Sequence, residues 1–222
     1  MNYKLLQEIL QLAEIFENET NTTDQNPKNI ENFKNWIIKK NHSHHNIEPN
    51  WEGKNNGRSA ESVISTLLVH LNRFAKNYSK SAIYESEFST QEEFIYLINL
   101  KAFGEMSKIQ LIKKNIHDKP IGMQVIRRII DQGWASQINS NIDKRSKIIA
   151  ITQKGEKILE QQMDKIRSAT QIVSGNLTQN EKFELIRLLN KLNEFHSPIF
   201  HQNFSQEELL QKAKEYNAIS QN

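Results

Sequence analysis

Apolar side chains recur along this chain at two spacings, and the places where the spacing changes mark out its plan. Residues 3–17 place Tyr3, Leu5, Leu6, Ile9, Leu10, Leu12, Ala13 and Phe16 at helical intervals, the rhythm of an amphipathic α-helix. Residues 30–39 repeat it with Ile30, Phe33, Trp36 and Ile37. The polar run 18–29 between them contains a proline and reads as a loop. Residues 40–60 are rich in Asn, His, Ser and Gly and carry Pro49. They read as a linker or ordered loop with little helix potential, which Trp51 is expected to pin onto an apolar surface.

A longer helix is predicted from 59 or 62 to about 84, with Val63, Ile64, Leu67, Leu68, Leu71, Phe74, Ala75 and Tyr78 on one face. That stripe is wider than a single surface helix needs and points to contact with a second subunit. Ser89-x-x-Glu92 and Thr90-x-x-Glu93 both fit a capping box behind Phe88, opening a helix that stops at Gly104. Ser107-x-x-Gln110 opens a short helix to about residue 115. Asp118, followed by Pro120, caps a third that ends at Gln132 before Gly133. Helical spacing buries Val125, Ile126 and Ile129 in it, sets Gly122 against a close neighbour, and leaves Lys119, Pro120, Ile121, Met123, Gln124, Arg127 and Arg128 outward.

The rhythm then becomes β-like. Short strands are predicted at 133–138 and 148–151, joined by the basic, turn-prone segment 139–147. Thr152 is placed to cap the next helix, whose buried side holds Ile158, Leu159, Met163, Ile166, Ala169, Ile172 and Val173 until Gly175-Asn176 breaks it. Thr178-x-x-Glu181 opens another helix, with Phe183, Leu185, Ile186, Leu188, Leu189, Leu192 and Phe195, expected to end at Pro198. Ser205-x-x-Glu208 opens a last short one to about residue 216. Three short helices followed by a hairpin form a winged helix-turn-helix. The fold class is therefore mainly α with a small β-hairpin wing, a winged helix-turn-helix domain plus a helical dimerisation region. The divisions are 1–60, an N-terminal helical extension and linker; 61–86 and 157–197, dimerisation helices; 87–156, the winged domain; and 198–222, a short helix and tail. The two helices of the extension are expected to pack on the dimerisation helices.

Charge sharpens this picture. The net charge of +3 hides a strong focus: residues 101–157 carry 12 Lys and Arg against 5 Asp and Glu, while the rest of the chain is net negative. Such focusing is the electrostatic footprint of a polyanion-binding face. Arg145, at the hairpin tip, is placed to reach a DNA minor groove. Ser107 and Lys108 open a helix whose free amides suit a phosphate, and Lys113, Lys114, Lys144 and Lys147 are further phosphate candidates. The absence of cysteine excludes disulfides, thiolate metal sites and a thiol switch. No apolar run is long enough to span a membrane and the N-terminus does not resemble a signal peptide, so the expected compartment is the cytoplasm. The imidazoles of His42, His44 and His45 invite a metal, but no adjacent third or fourth ligand is evident beyond Glu48 or Glu52, and the expectation is none. No catalytic signature and no cofactor motif is present.

Asp143-x-Arg145, six residues, then Thr152-x-x-Gly155 resembles the wing signature of the MarR (multiple antibiotic resistance regulator) transcription factors. The segment 118–133 aligns with that family's recognition helix, and the resemblance covers roughly residues 62–196. It implies a homodimer on a pseudo-palindromic double-stranded DNA operator, with Asp143 holding the wing through an arginine, Arg127 or Arg128. It also implies a small aromatic or anionic effector between the dimer helices and the winged domain, for which His70, Phe74, Tyr78, Phe103 and Trp134 are the candidate lining. One departure matters. Where the family usually contacts bases through Ser, Thr, Thr and Arg, this chain has Pro120, Ile121, Met123 and Gln124. Three of these four cannot hydrogen-bond a base, so a winged-helix protein-interaction scaffold without specific DNA readout stands as the alternative.

Overall fold

A computed structural model describes residues 3–20, 29–44, 49–139 and 147–220, with only the backbone given for Thr20, residues 39–44 and Ser220. The chain forms two compact units, Met1–Ile64 and Ser65–Asn222. The first contains α1 (Tyr3–Thr20) and α2 (Ile30–His44). Phe16 is buried, its ring 5.4 Å from that of Phe33 and 5.6 Å from that of Trp36. The Trp36 indole donates to the Glu19 carboxylate at 2.9 Å. Helix α2 runs past the expected end at residue 39 because residues 40–44 contain no glycine or proline to stop it. The following loop also forms a 3-10 turn, Lys54–Asn56, between Gly53 and Gly57, both left-handed. Trp51 closes this loop on itself, donating to the Arg58 carbonyl at 2.8 Å with the Lys54 ammonium over its ring.

The long helix α3 (Ala60–Ala82) leads into the second unit. There follow α4 (Gln91–Phe103), β1 (Met106–Ser107), α5 (Lys108–Lys114), α6 (Lys119–Asp131), β2 (Ala135–Asn139), β3 (Lys147–Ile151), α7 (Gln153–Val173), α8 (Gln179–His201) and α9 (Gln206–Ser220). The antiparallel sheet has the order β1-β3-β2, with Met106 opposite Ile149 and Ala135 opposite Ile151. Strand β1 was not expected. Two residues are too short to show a period, and only the pairing with β3 makes them a strand.

The core lies between α4, α5, α6, β3 and α7. Tyr96, Leu97, Leu111, Ile129 and Ile149 are wholly buried, with Leu100, Val125, Ile126, Trp134 and Leu159 nearly so. This is a mainly helical winged helix-turn-helix with a small β-wing, as the spacing predicts. Three helix readings need correction. Ile172 and Val173, expected on the buried side of α7, are exposed, because they lie beyond Ala169, its last buried residue. Pro198 does not end α8, which continues to His201. In the last turn the proline costs one bond, to the exposed Glu194, and Ile199 beyond it is buried. Helix α9 runs to Ser220 rather than 216.

Candidate nucleic-acid interface

Local chemistry sets each helix of the winged domain in place. Ser107 caps α5: its hydroxyl accepts from the Gln110 amide at 3.2 Å, and the Gln110 side chain accepts from the Ser107 amide at 2.9 Å. Helix α6 starts after Asp118 as expected, although Asp118 makes no capping bond through its side chain. Its other end is a Schellman motif. Gly133, at φ 72°, donates to the Ile130 carbonyl and Trp134 to that of Ile129.

The wing is rooted in that same turn. The Thr152 amide donates to the Trp134 carbonyl at 3.0 Å, and its hydroxyl donates to the Gly133 carbonyl at 2.7 Å. The same hydroxyl accepts from the Gly155 amide at 3.1 Å, capping α7. A Cβ on Gly155 would run into the Trp134 carbonyl. The Thr-x-x-Gly pattern thus ties the end of α6, the last strand and the start of α7 into one joint.

Two part-buried polar contacts brace the α5–α6 turn and were not legible in sequence. The Tyr96 hydroxyl lies 3.0 Å from His117 Nδ1, and burial, with a smaller contribution from Glu92, pushes this phenol up to about 12. The Asn99 amide donates to Asn115 at 2.9 Å. Gly122 lies where α6 crosses α5 and α4, and a Cβ there would meet the Ile112 side chain and come within 2.9 Å of the Tyr96 hydroxyl.

On this frame the outward face of α6 can be read directly. Lys119, Pro120, Gln124 and Arg127 are exposed and Ile121 is half-exposed. Met123 is partly buried against the core. Arg128 turns inward: its Nε lies 3.1 Å from a carboxylate oxygen of Glu93, a residue almost wholly buried, and its Nη2 donates to Thr90. The other Glu93 oxygen accepts from the Ser89 amide at 2.7 Å. Arg127 points to solvent, with a loose contact of 3.7 Å to Asp131. Pro120 and Met123 wall a groove of about 580 Å³ that Lys108, Gln124, Arg127 and Gln137 rim. Gln137, exposed on β2, joins this groove without having been a sequence candidate; it shares a strand face with buried Ala135, so strand alternation does not mark it. Lys147 is exposed at the start of β3 and reaches Asn139. Asp143, Lys144 and Arg145 lie outside the described residues.

The five candidate effector residues are not brought to one cavity in the single chain. Trp134 is core, 5.0 Å from the ring of Phe88. Phe103 is exposed beneath the Lys114 ammonium and lines a cavity of about 700 Å³ with Met106, Lys113 and His201. Tyr78 lines a different one, of about 430 Å³, with Ser81, Asp164, Lys165 and Ser168. His70 and Phe74 are exposed on α3. The side chains of His42 and His44, and all of His45, lie outside the described residues. Among the described residues no three His, Asp or Glu cluster as a metal site would require, and no helix is long and apolar enough to cross a membrane.

No protein-family model matches the sequence, and no curated protein matches it. Solved structures match in fold. BpsR of Bordetella bronchiseptica, whose DNA binding is regulated by 6-hydroxynicotinic acid, is 20% identical with a TM-score of 0.55, over 65% of this chain and 97% of its own. A cysteine-to-serine mutant of MarR from E. coli, complexed with operator DNA, is 22% identical with a TM-score of 0.54, over 58% of this chain and 92% of its own. The organohalide-sensing regulator RdhR, with 2,4-dichlorophenol bound, is 16% identical with a TM-score of 0.59, over 71% of this chain and 92% of its own.

Proposed function

The chain has the winged-helix fold of the MarR-type transcriptional regulators, and on that premise we propose that it is a homodimeric, sequence-specific DNA-binding transcriptional regulator. The carrying observation is where the charge falls. The 12 Lys and Arg against 5 Asp and Glu of residues 101–157 coincide with the helix-turn-helix and wing, and Lys119, Arg127 and Lys147 are exposed there. In this reading α6 enters a major groove, Lys108 and Lys119 neutralise phosphates, and the wing residues Lys144, Arg145 and Lys147 track the backbone beside the minor groove. Arg128 is withdrawn from the readout by Glu93. The two apolar helices α3 and α8 form the dimer, and half-sites fall about one helical turn apart. A small aromatic or anionic effector acts by shifting the spacing of the two recognition helices; the cavities against Tyr78 and Phe103 are its candidate seats.

The test is fluorescence anisotropy with the DNA upstream of the protein's own gene, from about 50 to 200 mM salt. Binding should fall steeply with salt. Arg127→Ala and Arg145→Ala should each weaken it and reduce the slope by about one, while Arg128→Ala should leave the slope unchanged and lower the melting temperature instead. The apolar outward positions Pro120 and Ile121 favour a second reading, a winged helix that docks a protein; it would show no salt-dependent DNA binding.

A further inference from the structure

Resting on the DNA-binding reading, we infer that α6 reads its half-site chiefly through thymine methyl groups, with Pro120 and Ile121 as the methyl contacts and Gln124 as an adenine reader. The residues that meet base edges are those outward on the first turns of a recognition helix. Here these are Lys119, Pro120, Ile121 and Gln124. Pro120 and Ile121 have no side-chain donor or acceptor, and Ile121 is 50% exposed. An isoleucine held in water at this place gains only by burial against another apolar group. The major groove offers one on natural bases, the C5-methyl of thymine.

Gln124 lies one turn after Ile121, and among the described residues its amide has no hydrogen-bond partner. Its donor and acceptor match adenine N7 and N6, so Ile121 and Gln124 together suit neighbouring A·T pairs. The reader for guanine is the arginine fork. Of the two arginines on α6, Arg128 is bound to buried Glu93, and Arg127 lies a full turn beyond Gln124. The wall that Pro120 and Met123 give the groove beside α6 continues the apolar surface. Against Pro120 and Met123, away from the acceptors of Gln124, Asp131 and Gln137 that also line the groove, a cytosine amino group would lose its water without gaining a partner, which disfavours G·C pairs there.

The experiment selects duplexes from a random-sequence pool with the full-length protein, then replaces each thymine of the selected site singly by deoxyuridine at fixed salt. Uracil keeps every hydrogen-bonding group and lacks only the methyl. One or two replacements per half-site should weaken binding about fourfold each, the worth of one buried methyl. Ile121→Ala should remove most of that sensitivity at the thymine Ile121 meets while leaving any thymine at Pro120 sensitive, and Gln124→Ala should relax adenine selection at a single position without changing the salt slope. Ile121 and Gln124 are surface residues, and the uracil arm needs no protein variant. Selected sites whose binding is indifferent to uracil, or built on guanine contacts, would overturn the inference while leaving the DNA-binding reading intact. So would steeply salt-dependent binding without any sequence enrichment. No binding to any duplex at low salt would overturn both.

Discussion

The carboxylate of Glu93 accepts from the Ser89 amide with one oxygen and meets the Arg128 guanidinium with the other, while almost wholly buried. It is at once the N3 residue of a capping box and one half of an ion pair between α4 and α6. Removing its charge leaves Arg128 facing a neutral amide. Because Arg128 is itself 37% exposed, water screens part of the loss, and Glu93→Gln should lower stability by about 1–2 kcal/mol rather than the larger cost of a fully buried pair. Urea unfolding would measure it, and no change in midpoint would show that the pair contributes nothing. Tyr96 gives a pH signature. Its phenol is pushed from the ordinary 10.0 up to about 12, chiefly by burial. Below pH 10 folded and unfolded chains both keep the proton. Between about pH 10 and 12 the unfolded chain releases it while the folded one holds it, so stability falls as pH rises through that window. The melting temperature of wild type should therefore drop more steeply above pH 10 than that of Tyr96→Phe. Parallel curves would contradict the burial of this hydroxyl.

At the scale of elements, the caps were the most legible part of the chain. Thr152 with Gly155, Thr178 with Glu181, Ser107 with Gln110 and Ser205 with Glu208 all pair as the sequence predicts. A cap joins residues three apart, so sequence alone brings them together. Thr152 does more than cap, because its hydroxyl also donates to the Gly133 carbonyl across the wing root. Thr152→Ala should cost about 1–2 kcal/mol, and Thr152→Ser should recover most of it, as read by thermal unfolding. An alanine variant as stable as wild type would mean that the joint between α6, wing and α7 is held by the residue-152 backbone amide and Gly155 packing without the hydroxyl. The misread ends, of α2, α8 and α9, lie where no strong breaker or cap stands, or where one residue of proline was outweighed by the burial of Ile199.

At the scale of the molecule, the single chain leaves two long apolar helices uncovered. Leu67, Leu71 and Phe74 of α3, with Phe183, Ile186 and Leu189 of α8, are each more than two-fifths exposed. A water-exposed apolar surface of this extent marks an association site. Light scattering should find a dimer, and Leu71→Asp with Ile186→Asp should give a folded monomer with weaker operator binding, because two half-sites are no longer read together. A wild-type monomer would remove the dimer from the functional reading.

The sequence by itself determined the α-helices, most of their caps, the wing hairpin's two strands, the buried face of α6 and the charge of residues 101–157. Each of these rests on spacing within a few residues or on composition, which need no partner from elsewhere in the chain. Tertiary structure alone decided the rest. It paired β1 with β3, set the Tyr96 hydroxyl on His117, buried Trp134 among core aromatics, and drew Arg128 from the outward face to Glu93, thirty-five residues earlier. Helical spacing shows which side chains point away from a helix axis. Whether such a residue meets solvent, DNA or a buried carboxylate depends on what packs beside it, and only the folded chain brings that neighbour into reach.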